Sequence, residues 1–181
     1  MSITTADDMH TFQEDGHLAI KKDDPTAPHV SDLLAYHLSE LRSVMAEHAY
    51  ALDAAGLSAS SVTFWTAWRG NRLAGFCALK ELDARHGEVK SMRAAPESRG
   101  SGVGRAMLQH IIAEAGIRGY ERLSLETGTA TLHEPAILLY RKAGFETCKA
   151  FADYEPSPHN QFMQLRLTDH RAGLDEPGQN G

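Results

Sequence analysis

The sequence predicts a mixed α/β fold on one central sheet whose first half is antiparallel. Three observations carry this reading. β-Branched and aromatic residues crowd 62–68 and return at 72–82 and 88–94 after the short polar turns "RGN" and "DARHG", the pattern of a meander. Apolar residues recur at three- and four-residue steps over 30–45, over 102–117 and over 133–143, the spacing of amphipathic helices. Glycines gather in "RGSGVGR" (99–105), between a strand pattern and a helix pattern.

Taken in order, "HLAIKKDD" (17–24) reads as a short strand. Val30, Leu33, Leu34, His37, Leu38 and Leu41 then mark one helix face, with Ser31 or "TAP" before it as a start signal. "HAYALDAAGL" (48–57) reads as a second, shorter helix. The meander strands follow. The helix from Gly102 to Ile117 shows a wide apolar face through Val103, Met107, Leu108, Ile111, Ile112 and Ala115. "RLSLET" (122–127) is a strand. "HEPAILLYRKA" (133–143) is a helix with Pro135 in its first turn and Gly144 as its stop. "FETCKAFADY" and "FMQLRLT" are read as the last two strands. About four helices therefore flank the sheet. Residues 1–15 read as a loose leader, 16–168 as one domain and 169–181 as a disordered tail.

A 181-residue chain with 42% hydrophobic residues can build one real core. A net charge of −6, with basic residues scattered, gives a nucleic-acid partner no electrostatic support. No stretch approaches a membrane span, and the polar N-terminus lacks the apolar core of a secretory signal. Cys77 and Cys148 suggest no disulfide framework. The expectation is a cytoplasmic protein without nucleic-acid or membrane partners; a homodimer is left open. "HEPAI" begins like a zinc-binding H-E-x-x-H, but Ile137 stands where the second histidine belongs, so no metal is expected.

The glycine cluster decides among phosphate-binding designs. A P-loop needs Lys and Ser or Thr after its last glycine, and here Arg105-Ala106 follow. A dinucleotide fingerprint needs G-x-G-x-x-G, and this run is G-x-G-x-G. What remains is a strand–loop–helix cradle. Its N–H groups would converge on a pyrophosphate at a helix N-terminus, with Arg99 and Arg105 adding charge.

"RGSGVG" fits the R/Q-x-x-G-x-G/A signature of the GCN5-related N-acetyltransferase (GNAT) family, and the chain resembles that family well beyond it. "GEVKSMRAAPESRGSGVGRAML" resembles its fourth strand, cradle and following helix; "AILLYRKAGF" resembles a later helix. A closer likeness is to small bacterial acetyltransferases, through "LSLETG" and "FADYEPSPHNQFM". The resemblance implies a sheet splayed between its fourth and fifth strands and acetyl-CoA as co-substrate. It implies a cradle of Arg99, Gly100, Ser101, Gly102, Val103, Gly104 and Arg105, and polarisation of the thioester by the backbone at Arg93 and Ala94. His133 stands where relatives often carry a pantetheine-binding Asn.

Acetyl transfer to an amine needs a group to take the amine proton, since a free alkylamine has a pKa near ~10. Glu88, opening the cradle strand, is the first choice; Glu126, ending "RLSLET", is the second; Glu81 is a third. The resemblance makes Tyr140 the candidate acid for the departing thiolate; its apolar neighbours Ile137, Leu138 and Leu139 would equally suit a core tyrosine. Asp153, Tyr154 and His159 could rim the acceptor pocket or merely belong to a long hairpin loop. Trp65 and Trp68 read as sheet packing, and His29, His37 and His48 as surface or core-edge residues. The function expected is acetyl transfer by direct attack of a primary amine, on a small or amino-acid-like acceptor, upon the thioester. A CoA-binding sensor without turnover and a peptide or protein N-acetyltransferase are the alternatives.

Overall fold

The structure, a computed structural model, describes residues 17–45 and 51–167. The leader, the tail and the first residues of the predicted second helix lie outside the described residues. The elements are β1 (Leu18–Lys22), α1 (Pro28–Met45), α2 (Ala54–Leu57), β2 (Val62–Arg69), β3 (Arg72–Asp83), β4 (His86–Ala94), α3 (Val103–Ile117), β5 (Arg122–Gly128), α4 (Glu134–Lys142), β6 (Glu146–Thr147) and β7 (Asn160–Arg166). Seven strands form one open sheet in the order β1-β2-β3-β4-β5-β7-β6. β1 to β4 pair antiparallel, as the alternating pattern requires. β5 lies parallel to β4, the crossover being α3.

The alternation of side chains divides the core between the two faces of the sheet. Phe64, Phe76 and Ala78 pack with Val30, Leu34 and Leu57 under α1 and α2. Trp65, Leu79, Val89, Leu123 and Leu125 pack with Val103, Met107, Ile111, Ile137 and Tyr140 on the side of α3 and α4. Trp65 is buried in that core, as the sequence implied. Trp68 is half-buried and donates to Thr66 Oγ1 at 2.8 Å.

Two departures from regularity position the site. β4 and β5 pair only from His86 to Glu88 against Arg122 to Ser124; beyond Glu88 they part, and the β5-facing backbone groups of β4 lose their ladder partners. β5 meanwhile stays zipped to β7 along its whole length. In β4 the register also slips: Arg93 faces Phe76 and Lys90 faces Ala78, so Ser91 and Met92 together oppose Cys77. This bulge puts Ser91 at φ 47°, a left-handed conformation that is unusual for a side-chain-bearing residue.

The predicted strand "FETCKAFADY" is corrected to two residues, Glu146–Thr147. From Cys148 to His159 the chain forms an irregular loop instead. Pro156 and Pro158 lack ladder donors, and Tyr154 leaves the edge to bond inside the sheet.

Candidate active site

The gap between β4 and β5 opens into a cleft. Its walls are the second half of β4 (Val89–Arg93), the end of β5 (Glu126–Gly128), α1 through His37, Glu40 and Leu41, and the α4 region through His133, Ala136 and Tyr140. The walls are polar where a core would be apolar. Among the described residues eight buried side-chain N or O atoms lack a well-aligned hydrogen bond, and all but His110 Nε2 belong to residues lining this cleft. Buried polar groups normally find a partner in the protein or in ordered water, so the cleft presents a concentration of polar atoms open to water or a ligand.

Glu126 has an unpaired, buried Oε1. Burial, reinforced by the negative charge of Glu88 and opposed by Lys90, pushes its carboxyl up to about 7. Glu88 has a different setting. It is 1% exposed, does not line the cleft, accepts a hydrogen bond from Tyr154 Oη and lies 3.4 Å from Lys90 Nζ. Lys90 Nζ in turn donates to Tyr154 Oη at 2.6 Å. Arg72, on the neighbouring β3, turns away to Glu97 at 3.9 Å. Glu81 accepts from Tyr120 Oη at 3.0 Å and does not line the cleft.

Tyr140 reaches the cleft from α4, beside Phe145. Burial, with the nearby charge of Glu126, raises its phenol above the usual range, so it stays protonated at neutral pH. His133 leads into α4 and lies so close over Gly128 that a Cβ there would fall 2.4 Å from the ring. Only glycine fits, and His133 Nε2 is left without a partner. Burial lowers the pKa of His133 and brings that of His37 down to about 4, so both rings are held towards neutrality. His37 is buried at the edge of the core, T-stacked on Phe76 and lining the cleft.

Arg93 crosses to the α1 side. One of its terminal nitrogens, Nη1, forms an ion pair with Glu40, and its guanidinium lies 5.0 Å from the Tyr36 ring centroid. The hydrogen bond from Arg93 brings the Glu40 carboxyl down to about 2, against the opposing effect of burial. Arg99, half-exposed, also approaches Glu40, at 3.4 Å.

The glycine loop sits beside this cleft. Gly100 and Gly102 have φ of 73° and 84°, and nothing lies within 4 Å of where their Cβ atoms would be. They are glycine for backbone conformation, and the surface above them is open. Gly102 caps α3 with no side-chain hydrogen bond, which leaves the first N–H groups of that helix to a ligand. Ser101 Oγ turns inward to Ser98 O at 2.6 Å, and Arg105 is exposed. At Gly104 a Cβ would meet Leu139 at 3.4 Å, so the first turn of α3 lies against α4. The expected cradle residues thus lie together on one loop and one helix N-terminus, and that geometry fits a pyrophosphate.

Asp153 and His159 are exposed and do not line the cleft; Tyr154 does not line it either but bonds Glu88 behind it. Sequence reasoning missed Glu40, Ser91 and Lys90, and it gave His37 no part in the site. Nothing local signals the bulge at Ser91, and Tyr154 meets Glu88 across 66 positions of sequence. Among the described residues no group of three or more His, Cys, Asp or Glu could hold a metal ion. No helix among them is long and apolar enough to cross a membrane.

Comparison with known proteins agrees with this architecture. The model of the acetyltransferase (GNAT) family matches residues 30–145. An uncharacterized N-acetyltransferase of Bacillus subtilis, YsnE, is 48% identical over 82% of this chain and 99% of its own. A solved structure from Klebsiella pneumoniae, assigned as an acyl-CoA N-acyltransferase, superposes with a TM-score of 0.70 at 28% identity, over 83% of this chain and 97% of that one. A GNAT acetyltransferase of Elizabethkingia anophelis, solved with acetyl-CoA bound, shares the fold at a TM-score of 0.58 and 17% identity, over 82% of this chain and 97% of that one. The chain is an N-acetyltransferase and belongs to the GNAT family.

Proposed function

We propose that the protein transfers the acetyl group of acetyl-CoA to a primary amine of a small molecule, with Glu126 as general base and Tyr140 as general acid. Acetyl-CoA supplies an activated acetyl thioester. Gly100 to Arg105 hold its pyrophosphate on the uncapped N-terminus of α3, and His133 Nε2 is free to bond the pantetheine arm. The unpaired backbone edge of β4 past Glu88, at Arg93 and Ala94, offers N–H groups to the thioester oxygen as charge develops there.

Glu126 accepts the proton that the amine sheds, directly or through one water, as the new C–N bond forms. Tyr140 donates its phenolic proton to the sulfur as the C–S bond breaks. Both groups regain their starting protonation through solvent when CoA leaves. The observation that carries this reading is the unpaired Glu126 carboxylate in the cleft, with a pKa near the working pH, where a base is most effective. Glu88 was the first choice from sequence; its burial and its bonds to Tyr154 and Lys90 favour a supporting role instead.

The reading is tested by CoA-thiol release from acetyl-CoA over an amine panel. Turnover that Glu126→Gln abolishes supports it. Acetyl-CoA binding, seen as a rise in melting temperature, without turnover of any amine would favour a sensor on the same fold.

A further inference from the structure

Arg93 shows what else the acceptor carries. Glu40 occupies Nη1, while Nε and Nη2 are buried and have no acceptor. These two atoms form the side edge of the guanidinium. Their N–H bonds run parallel and match the two oxygens of a carboxylate. The edge is held rigidly: Glu40 fixes one end of the plane and Tyr36 lies against its face.

The edge is separate from the pyrophosphate cradle, since no residue from Arg99 to Arg105 lines the cleft. Arg93 pairs in register with Phe76, whose ring belongs to the core beneath α1, whereas Tyr140 belongs to the core beneath α3 and α4. Tyr140 thus lies on one side of the sheet and the open guanidinium edge on the other, with the gap between β4 and β5 joining them. Charge favours a single anion. Two guanidiniums, those of Arg93 and Arg99, converge on the one carboxylate of Glu40, so a further monoanion meets a net positive wall there. A dianionic phosphate would crowd Glu40 and Glu126.

We infer that the acceptor is a small amino acid, its carboxylate seated on the Nε–Nη2 edge of Arg93 and its amine directed across the cleft to Glu126. This rests on the acetyl-transfer reading above. Ser91 Oγ and His37 Nδ1, also unpaired on the same walls, are the further polar contacts available to it.

The experiment compares two pools in the CoA-release assay, free amino acids and their carboxamides, with wild type and Arg93→Lys. Lysine keeps the charge beside Glu40 and loses the fork. Wild type should use the free acids with kcat/KM at least 10-fold above the amides. Arg93→Lys should raise KM for the acids at least 10-fold, with kcat changed less, and should keep the melting-temperature rise given by acetyl-CoA. Equal use of acids and amides overturns the inference. So does failure to turn over any free acid while acetyl-CoA still raises the melting temperature. An Arg93→Lys variant that loses the acetyl-CoA shift but keeps its acceptor KM would assign the edge to the donor, and also overturns it. Absence of any acetyl-CoA shift in wild type would instead remove the acetyl-transfer reading on which the inference stands.

Discussion

The seam between β4 and β5 has a closed half and an open half, and each holds a carboxylate. In the closed half Glu88 sits where the strands still pair, and Tyr154 and Lys90 both face its Oε1. In the open half Glu126 sits where the strands have parted, with one oxygen unpaired and its pKa pushed up to about 7. The side chains are chemically alike; the environments pair one and leave the other with a free oxygen. A buried charge stabilises a fold only when paired, and a base is useful only when its lone pair is free.

Breaking the open half should have the largest effect. Glu126→Gln is expected to lower kcat/KM by about 10² to 10³-fold at pH 7.5, the usual scale for losing a general base. Its stability should move the other way. The folded carboxyl titrates near 7 and the unfolded one near 4.5, so the folded state binds more protons between those values and loses stability as pH rises through that window. Glu126→Gln removes this loss, so its melting temperature relative to wild type should be higher at pH 8 than at pH 5. An unchanged difference would show that Glu126 is not desolvated.

Breaking the closed half should be felt first in folding. Glu88→Ala removes the carboxylate that faces both Lys90 and Tyr154 in a buried site and is expected to destabilise by about 3 kcal/mol, the scale for removing one partner of a buried pair. A fall below about 1 kcal/mol in denaturant unfolding would show that the network carries little. Tyr140→Phe should then lower kcat by about 10-fold or more while leaving the acetyl-CoA shift in melting temperature intact, since the ring still fills its place in the core. The smallest effect belongs to the cradle backbone. Gly102→Ala at φ 84° should destabilise by about 1 kcal/mol and weaken acetyl-CoA binding. Unaltered stability and binding would mean that the loop relaxes freely.

The same contrast separates what could be read in the sequence from what could not. The cradle was legible because its requirements are local: Gly100 and Gly102 need positive φ, and they lie next to each other and to the start of α3. The meander was legible because alternation is a period-two signal, and α4 because it follows a clear helical pattern, while Tyr140 was named through the resemblance of "AILLYRKAGF" to the family's later helix. Glu126 could be named from its strand-end position, but its ranking against Glu88 depended on where β4 and β5 part, which no short pattern encodes. His37, Glu40 and Arg93 meet only through the packing of α1 against the bulged end of β4. Residues 148–154 were read as strand because their aromatics suit one; instead they open the long loop before β7, and Phe151 and Tyr154 pack with Phe162 beside Glu88.

The central claim is that Glu126, in the open half, takes the acceptor's proton. It is tested most directly by kcat/KM against pH for wild type and Glu126→Gln. Wild type should rise with pH through an inflection near 7 as Glu126 loses its proton, and in Glu126→Gln the rate should be depressed with that inflection gone. An inflection near 7 that persists unchanged in Glu126→Gln would contradict the assignment.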